Sequence, residues 1–131
     1  MNKLQEQVNE FMDAAEQRVS ASVRTLNYEE KKFRLKLIRE ETAELAIALT
    51  QQDTVETADA LADLLYVVIG TASACGIDIE PIFNEVHKSN MSKFIDGHMR
   101  DDGKWVKGPS FVPPNLLPIL EQQGFKEQLK P

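Results

Sequence analysis

The sequence predicts an all-α protein, in which four helices form a bundle and an irregular C-terminal arm carries a small hairpin. Apolar residues recur at intervals of three and four along most of the chain before Lys93, which is helical spacing. Capping residues divide this stretch into separate helices. Residues 94–115 differ, because they hold three of the six glycines and three of the six prolines. We therefore expect one domain over residues 1–131, with an arm from about residue 94.

The first two helices are predicted from apolar spacing and a capping signal. The first extends from Leu4 to about Val23, since apolar residues repeat at helical intervals throughout. The second begins after Asn27, which can cap it, and Glu30 completes a capping-box pattern three residues later. This helix is expected to continue to about Gln51.

The next two helices are predicted in the same way. Asp53 and Glu56 repeat the capping-box pattern and open a third helix, which ends near Gly76. A fourth helix starts around Asp78 and continues to about Lys93.

The arm is predicted from its turn residues. The pair Asp102-Gly103 favours a tight turn that closes a hairpin. Residues Leu116–Gln123 predict a short last helix, and the tail after it is expected to fray.

Composition limits the functions that this chain can have. Its net charge of −6 argues against a nucleic-acid polymer or an anionic membrane as the main partner, because both need a basic face. An acidic chain can still bind polyphosphates when metal ions supply the positive charge. A single cysteine excludes an intramolecular disulfide and a cysteine zinc site. We expect the cytoplasm, since the N-terminus lacks the apolar core of a signal peptide and no run approaches membrane-spanning length.

Acidic residues fall where apolar ones are expected. On the second helix, Glu40 and Glu44 share an angular sector with apolar positions, and Glu41 lies slightly further round. On the third helix, Asp63 is the one charge in an apolar segment that predicts a buried helix, and Asp59 lies one turn earlier. Ionised groups that are buried without partners are costly, so these carboxylates need a compensating charge.

Two sources of that charge fit the residues. The first source is a salt bridge to a cation from another part of the fold, either Arg34 or Lys93. The other is a hard cation, because oxygen ligands from two facing helices suit Mg²⁺ or Mn²⁺. Helical di-iron sites need two Glu-x-x-His pairs, and neither His87 nor His98 follows a glutamate at that spacing.

At these residues the sequence resembles the all-α nucleoside triphosphate pyrophosphohydrolase superfamily. Its pattern is Glu-Glu-x-x-Glu on one helix and Glu-x-x-Asp on the next. The first is present as Glu40-Glu41-x-x-Glu44, and the second as Glu56-x-x-Asp59. In another register the family aspartate is Asp63, Ala60 stands where the family has glutamate, and Asp59 replaces that ligand. Both registers stay open.

A narrower resemblance covers nearly the whole chain. The strings VETADALADLLYVVIGTA, EVHKSNMSK, DGK and KGPSFVPP, in this order and spacing, are similar to the MazG-like phosphoribosyl-ATP pyrophosphohydrolase-related group. The resemblance implies that Mg²⁺ binds the substrate phosphates and that water attacks the α-phosphorus. Its metal ligands would be Glu41, Glu44, Asp59 and Asp63, with Glu56 as an outer ligand, and Glu40 would orient or deprotonate the water.

The resemblance also implies contacts to the substrate. Lys88, Lys93 and Lys107 would hold phosphates as point charges. Asn90 would contact a base or sugar edge, and Gln17 the base. The alternative is that these are solvent-exposed helix residues without a binding role, which applies to Lys88 most and to Asn90 and Lys93 less.

Two other functions and an assembly state are part of the prediction. The substrate could be phosphoribosyl-ATP, or the chain could be a non-catalytic helical module for nucleotide binding or interaction. Apolar surface left over on so small a bundle, together with the usual state of the family, predicts a homodimer or homotetramer.

Overall fold

A computed structural model describes residues 1–126 of the chain. The elements, in chain order, are α1 (Lys3–Ala14), α2 (Tyr28–Thr50), α3 (Thr54–Ala74), α4 (Ile79–Met91), a 3₁₀ turn (Ser92–Phe94), β1 (His98–Met99), β2 (Trp105–Val106) and α5 (Leu117–Gln122). The all-α class and the hairpin are confirmed. The expected fraying of the tail falls mainly on residues 127–131, outside the described residues. Contacts group the chain into two compact units, Met1–Asp78 and the chain from Ile79 onward, which are described separately. The single domain stays a prediction.

The first helix is shorter than the sequence predicts. It ends at Ala14, and Glu16 has a φ of 59°, in the left-handed region. The chain that follows pairs its backbone with the end of α3, since Ser20 N–H donates to Ser73 O at 3.1 Å and Arg24 N–H to Cys75 O at 2.9 Å. These bonds satisfy the carbonyl groups that a helix end leaves unpaired, which favours an extended segment here.

The predicted starts of α2 and α3 are confirmed, but only one capping box forms. Asn27 accepts from Glu30 N–H at 2.9 Å, and the Glu30 carboxylate accepts from Asn27 N–H at 3.1 Å. At α3, Asp53 accepts from Glu56 N–H, while Asp53 N–H donates to Ala48 O at 3.2 Å. The Glu56 carboxylate therefore has no part in capping.

The end of α3 also follows the sequence. Gly76 has a φ of 70°, and its N–H donates to Ser73 O while Ile77 N–H donates to Ala72 O. This is the Schellman arrangement, in which glycine takes the left-handed position without strain.

The prediction that α3 is buried all round is wrong for the single chain. Within the first unit α3 packs against α2 and α1. These neighbours cover one side, so that Ala60, Ile69 and Gly70 are buried. On the uncovered side Leu61 is 53% exposed and Leu65 49%. An apolar strip of α3 thus remains on the surface.

Length and hydropathy alone would let α3 cross a membrane, contrary to the expectation that no run is long enough. Core helices of soluble proteins pass the same test. Here the helix packs on α1 and α2 and carries Asp59 and Asp63.

The core of the first unit lies between α1 and the C-terminal half of α3. Its buried residues are Val8, Met12, Ile69 and Ala74. Gln5, also buried, donates to Ser73 Oγ at 3.0 Å and to Ile77 O at 2.8 Å, which ties α1 to the end of α3.

In the second unit, the hairpin packs against the residues that follow α4. Trp105 packs against Phe94, with the rings tilted by 40° at a centroid distance of 4.8 Å, and donates from Nε1 to Lys93 O at 2.8 Å. Asp96 accepts from the backbone N–H and the hydroxyl of Ser110. These contacts give the arm a defined structure.

Candidate metal and nucleotide site

Three of the predicted carboxylates lie together between α2 and α3. One oxygen from each of Glu41, Glu44 and Asp63 lies within 4.8 Å of the others. Glu41 and Asp63 are half-buried and Glu44 is exposed. Because Glu41 and Glu44 are three residues apart on one helix, both can face the same point on α3.

Of the three carboxylates, Glu41 has the least favourable electrostatic environment. Its Oε2 atom is buried and has no hydrogen-bond partner among the described residues. Burial raises the pKa of Glu41, and the nearby charges of Glu44 and Asp63 raise it further. A divalent cation at this point would give Oε2 a partner and offset the repulsion. The residues therefore fit a hard metal ion by charge and by ligand type.

The salt-bridge alternative finds no support in the first unit. No lysine or arginine of the unit Met1–Asp78 forms an ion pair with Glu41, Glu44 or Asp63. Arg34 instead donates to Thr71 Oγ1 at 3.1 Å and to Val67 O at 3.0 Å. The carboxylates are thus left without a neutralising side chain in their own unit.

The buried stripe of α2 differs from the predicted one. Arg34 and Ala48 are buried and Glu41 is half-buried, at intervals of seven residues along one face. Glu40, predicted in this stripe, is instead 55% exposed and lies 4.0 Å from Lys36 in an ion pair. The shift of the stripe by one position removes Glu40 from the cluster, although its charge still contributes to the raised pKa of Glu41.

Both candidates for the fourth ligand line a second cavity. This cavity has a volume of about 300 Å³ and is lined by Glu44, Glu56 and Asp59 among others. Since the Glu56 carboxylate does not cap α3, it is as available as that of Asp59. Both acids thus share a cavity with Glu44, but neither lies within the cluster of Glu41, Glu44 and Asp63.

A separate cavity of about 240 Å³ opens beside Glu41 and Asp63. Gln17, predicted to contact a base, lines it. Its walls include the rings of Phe11 and Tyr66, which pack edge to face at 5.6 Å. The cavity therefore joins an apolar wall to the carboxylate cluster.

Sequence reasoning missed the part of Arg34 in this cavity, because it considered that residue only as a salt-bridge partner. The signal was present in the spacing: Arg34 precedes Glu41 by seven residues, so both lie on one face of the helix.

The predicted phosphate-binding residues all lie in the second unit. Lys88 and Asn90 are exposed on α4. Lys93, predicted on the same helix, lies in the 3₁₀ turn after it. The ammonium groups of Lys93 and Lys107 lie 5.9 and 4.8 Å from the ring centroid of Phe111. Two of the predicted cations are thus gathered around one aromatic ring.

Comparison with known proteins gives a family for the chain. No curated protein matches it. The family model described as phosphoribosyl-ATP pyrophosphohydrolase matches residues 8–90, well over half of the sequence. The match includes every carboxylate of the cluster and ends before Lys93 and Lys107. The chain therefore belongs to the phosphoribosyl-ATP pyrophosphohydrolase family, within the all-α MazG-like nucleoside triphosphate pyrophosphohydrolase superfamily.

Proposed function

We propose that this pyrophosphohydrolase acts on nucleoside triphosphates with Mg²⁺, cleaving the bond between the α- and β-phosphates to give a nucleoside monophosphate and pyrophosphate. The observation that carries the proposal is Glu41, whose buried Oε2 atom has no hydrogen-bond partner among the described residues and whose carboxylate lies beside those of Glu44 and Asp63. Such an arrangement is costly without a cation. In an enzyme, these carboxylates would serve to bind Mg²⁺ beside the phosphates of the substrate.

The metal would be held by Glu41, Glu44 and Asp63, with Asp59 or Glu56 completing the set. When bound, Mg²⁺ neutralises developing charge on the phosphate oxygens and lowers the pKa of the attacking water. Mn²⁺ would serve as a substitute, since it accepts the same oxygen ligands.

The other side chains would bind the substrate or position the water. Glu40 borders the cluster and would orient or deprotonate the attacking water. Lys88, Lys93 and Lys107 would hold phosphate oxygens, and Asn90 would contact the base or sugar. Gln17 would contact the base, which its place in the cavity beside Glu41 supports.

Phosphoribosyl-ATP is the second candidate substrate, and the family match favours it directly. It is cleaved at the same kind of bond, so the same carboxylates would serve. A non-catalytic nucleotide-binding or interaction module on this fold is the third reading.

A homodimer or homotetramer in the cytoplasm is the proposed state of the protein. The exposed strip of α3 with Leu61 and Leu65 supports self-association, because burying it would remove apolar surface from water. The charge of −6 supports a protein that binds neither nucleic-acid polymers nor anionic membranes.

The test is a panel of nucleotides that includes phosphoribosyl-ATP, assayed for pyrophosphate with Mg²⁺ and with a chelator. Pyrophosphate release that depends on Mg²⁺ is expected from at least one compound. Asp63→Asn should reduce kcat by at least about a hundredfold, as for a group that stabilises transition-state charge. Glu10→Gln, which changes an exposed acid of α1 that lines neither cavity, is the matched control.

Two results would reject the proposal. Release of orthophosphate alone would exclude cleavage between the α- and β-phosphates. Full activity in Asp63→Asn and Glu44→Gln would exclude this cluster as the site. Mg²⁺-dependent nucleotide binding without turnover of any compound would favour the non-catalytic module.

A further inference from the structure

Lys93 and Lys107 are two cations of the second unit that approach the same aromatic ring. Their ammonium groups lie 5.9 and 4.8 Å from the ring centroid of Phe111. Neither lysine forms an ion pair with a residue that the structure describes. The face of the ring attracts both cations, but the two like charges repel each other. An anion that reaches both ammonium groups would therefore be bound favourably.

A tight turn determines where two of these side chains stand. It comprises residues 108–111, and Phe111 N–H donates to Gly108 O at 3.2 Å. Pro109 occupies the second position of the turn, where the fixed φ of proline is favoured. Lys107 directly precedes the turn and lies just beyond the end of β2. The placement of Lys107 relative to the Phe111 ring thus depends on what holds the turn.

Asp96 holds this turn by contacts at two of its residues. The Ser110 N–H lies 3.1 and 3.2 Å from the two oxygens of the Asp96 carboxylate, and the Ser110 hydroxyl donates to Oδ2 at 2.7 Å. The backbone of Gly108 lies against the same aspartate, because a Cβ atom at Gly108 would collide with Asp96 O and Oδ1. One side chain therefore fixes the turn between Lys107 and Phe111.

The charge of Asp96 is not used in an ion pair. Its carboxylate accepts from Ser110, and none of the described lysines or arginines lies within ion-pair distance of it. Lys93, three residues earlier, is therefore left to bind another anion. The backbone of Lys93 is fixed as well, since its carbonyl accepts from Gly97 N–H at 3.0 Å and from Trp105 Nε1 at 2.8 Å.

We propose that Asp96 is a positioning residue for polyphosphate binding, which holds the turn so that Lys107 and Lys93 together bind the phosphates that leave as pyrophosphate. This inference rests on the proposed function, which supplies the polyphosphate. Asp96 acts through Lys107 and does not touch the phosphates itself. A turn that is ordered in advance lowers the entropy cost of binding, so the affinity should depend on Asp96.

The first test is the affinity for inorganic pyrophosphate in metal-free buffer, measured by titration calorimetry. Without metal the carboxylate cluster of the first unit repels this anion, so the titration reports on the lysines. Asp96→Ala should raise the Kd about tenfold. If Asp96 acted only through its charge, the same variant would lower the Kd, because a group that repels the anion is removed. A lower or unchanged Kd would overturn the inference, as would a lack of binding to the unmodified protein.

Two milder variants test the hydrogen bonds without the risk of unfolding the arm. Ser110→Ala removes the hydroxyl bond to Asp96 and keeps the backbone bond, so the Kd should rise about two- to fivefold. Asp96→Asn keeps an acceptor oxygen for Ser110 and should bind pyrophosphate more tightly than Asp96→Ala does. Equal Kd values for the asparagine and alanine variants would contradict a role of Asp96 through these bonds.

Glu85→Ala is the matched control for a general loosening of the arm. Glu85 lies on α4 and accepts from Asn115 N–H at 3.1 Å, so it also fastens the arm by a carboxylate. Its bond lies beyond Phe111 in the chain, away from the turn that follows Lys107. The variant should leave the Kd for pyrophosphate unchanged. A Kd raised as much as in Asp96→Ala would show that Asp96 only stabilises the arm, and the inference would be wrong.

Steady-state kinetics separates this inference from the proposed function. With the best substrate of the nucleotide panel, Asp96→Ala should raise KM about tenfold and change kcat by less than about threefold, because a phosphate contact made before and during the reaction affects binding uniformly. Hydrolysis with an unchanged KM would overturn the inference and leave the proposed function standing. If no compound is hydrolysed, the proposed function fails, and the pyrophosphate titration still decides whether Asp96 positions the lysines.

Discussion

The guanidinium of Arg34 occupies the space that a side chain at Gly70 would fill. Arg34 belongs to α2 and Gly70 to α3. Their contact therefore limits how closely the two helices approach at this point. Arg34 donates to Val67 O, which lies one turn before Gly70 on the same helix. The pair therefore combines a steric fit with a hydrogen bond to the backbone of α3.

The first prediction is that Gly70→Ala destabilises the protein despite the better helix propensity of alanine. Alanine gains about 1 kcal/mol in a helix interior. Overpacking against the Arg34 guanidinium, which hydrogen bonds to Thr71 Oγ1 and Val67 O hold in place, costs about 1–3 kcal/mol. The melting temperature should therefore fall.

A double-mutant cycle isolates the cause. In an Arg34→Ala background the clash is absent, so Gly70→Ala should raise the melting temperature. The steric account is wrong if Gly70→Ala lowers the stability equally in both backgrounds.

The second prediction concerns Glu41 in the absence of metal. Glu41→Gln removes a half-buried carboxylate whose pKa is raised by burial and by its acidic neighbours. The metal-free variant should melt at a higher temperature than the unmodified protein, because the repulsion is relieved. The further rise on adding Mg²⁺ should shrink, because a ligand is lost.

Calorimetry with and without Mg²⁺ measures both effects. Glu40→Gln is the matched control, since Glu40 lies next to Glu41 but is exposed and pairs with Lys36. Such surface pairs contribute about 0–1 kcal/mol, so little change is expected without metal. An unchanged Mg²⁺ response in Glu41→Gln would argue against Glu41 as a ligand.

Features that depend on a few neighbouring residues could be predicted from the sequence. The cap at Asn27, the end of α3 at Gly76 and the turn at Asp102-Gly103 are examples. Each results from the chemistry of side chains only a few positions apart. The proximity of Glu41 to Asp63 was expected from the family resemblance rather than from helical spacing, which placed Glu41 beside the apolar stripe and not in it.

Features set by contacts distant in sequence were missed. The end of α1 depends on hydrogen bonds from Ser20 and Arg24 to the far end of α3. The phase of the α2 stripe was misplaced because a buried arginine, Arg34, lies where a hydrophobic residue is expected. The burial of α3 was overestimated because its composition does not reveal how many neighbours will cover it.

The third prediction decides between the candidates for the fourth ligand. Asp59 precedes Asp63 by one helical turn and so shares its face of α3, whereas Glu56 lies a further turn away. Asp59→Asn should therefore weaken Mg²⁺ binding more than Glu56→Gln does. Titration calorimetry with Mg²⁺ on both variants measures this difference. A greater loss of affinity in Glu56→Gln would assign the ligand to Glu56.

The fourth prediction is a pH dependence that originates at the start of α2. Arg24 donates to both oxygens of Glu30, at 2.8 and 2.5 Å, and Asn27 N–H donates to the same carboxylate. These contacts lower the pKa of Glu30 from its ordinary 4.5 to about 2, the Arg24 hydrogen bonds being the largest cause. The folded state thus binds this proton less readily than the unfolded chain.

The sign of the effect follows from linkage. The contribution of Glu30 is fully present above about pH 4.5 and is lost as the pH falls towards about 2. Urea unfolding of the unmodified protein and of Glu30→Gln should therefore give stabilities that differ at pH 6 and converge on acidification. A difference that stays constant down to about pH 2 would mean that the pKa of Glu30 is not lowered in the folded state.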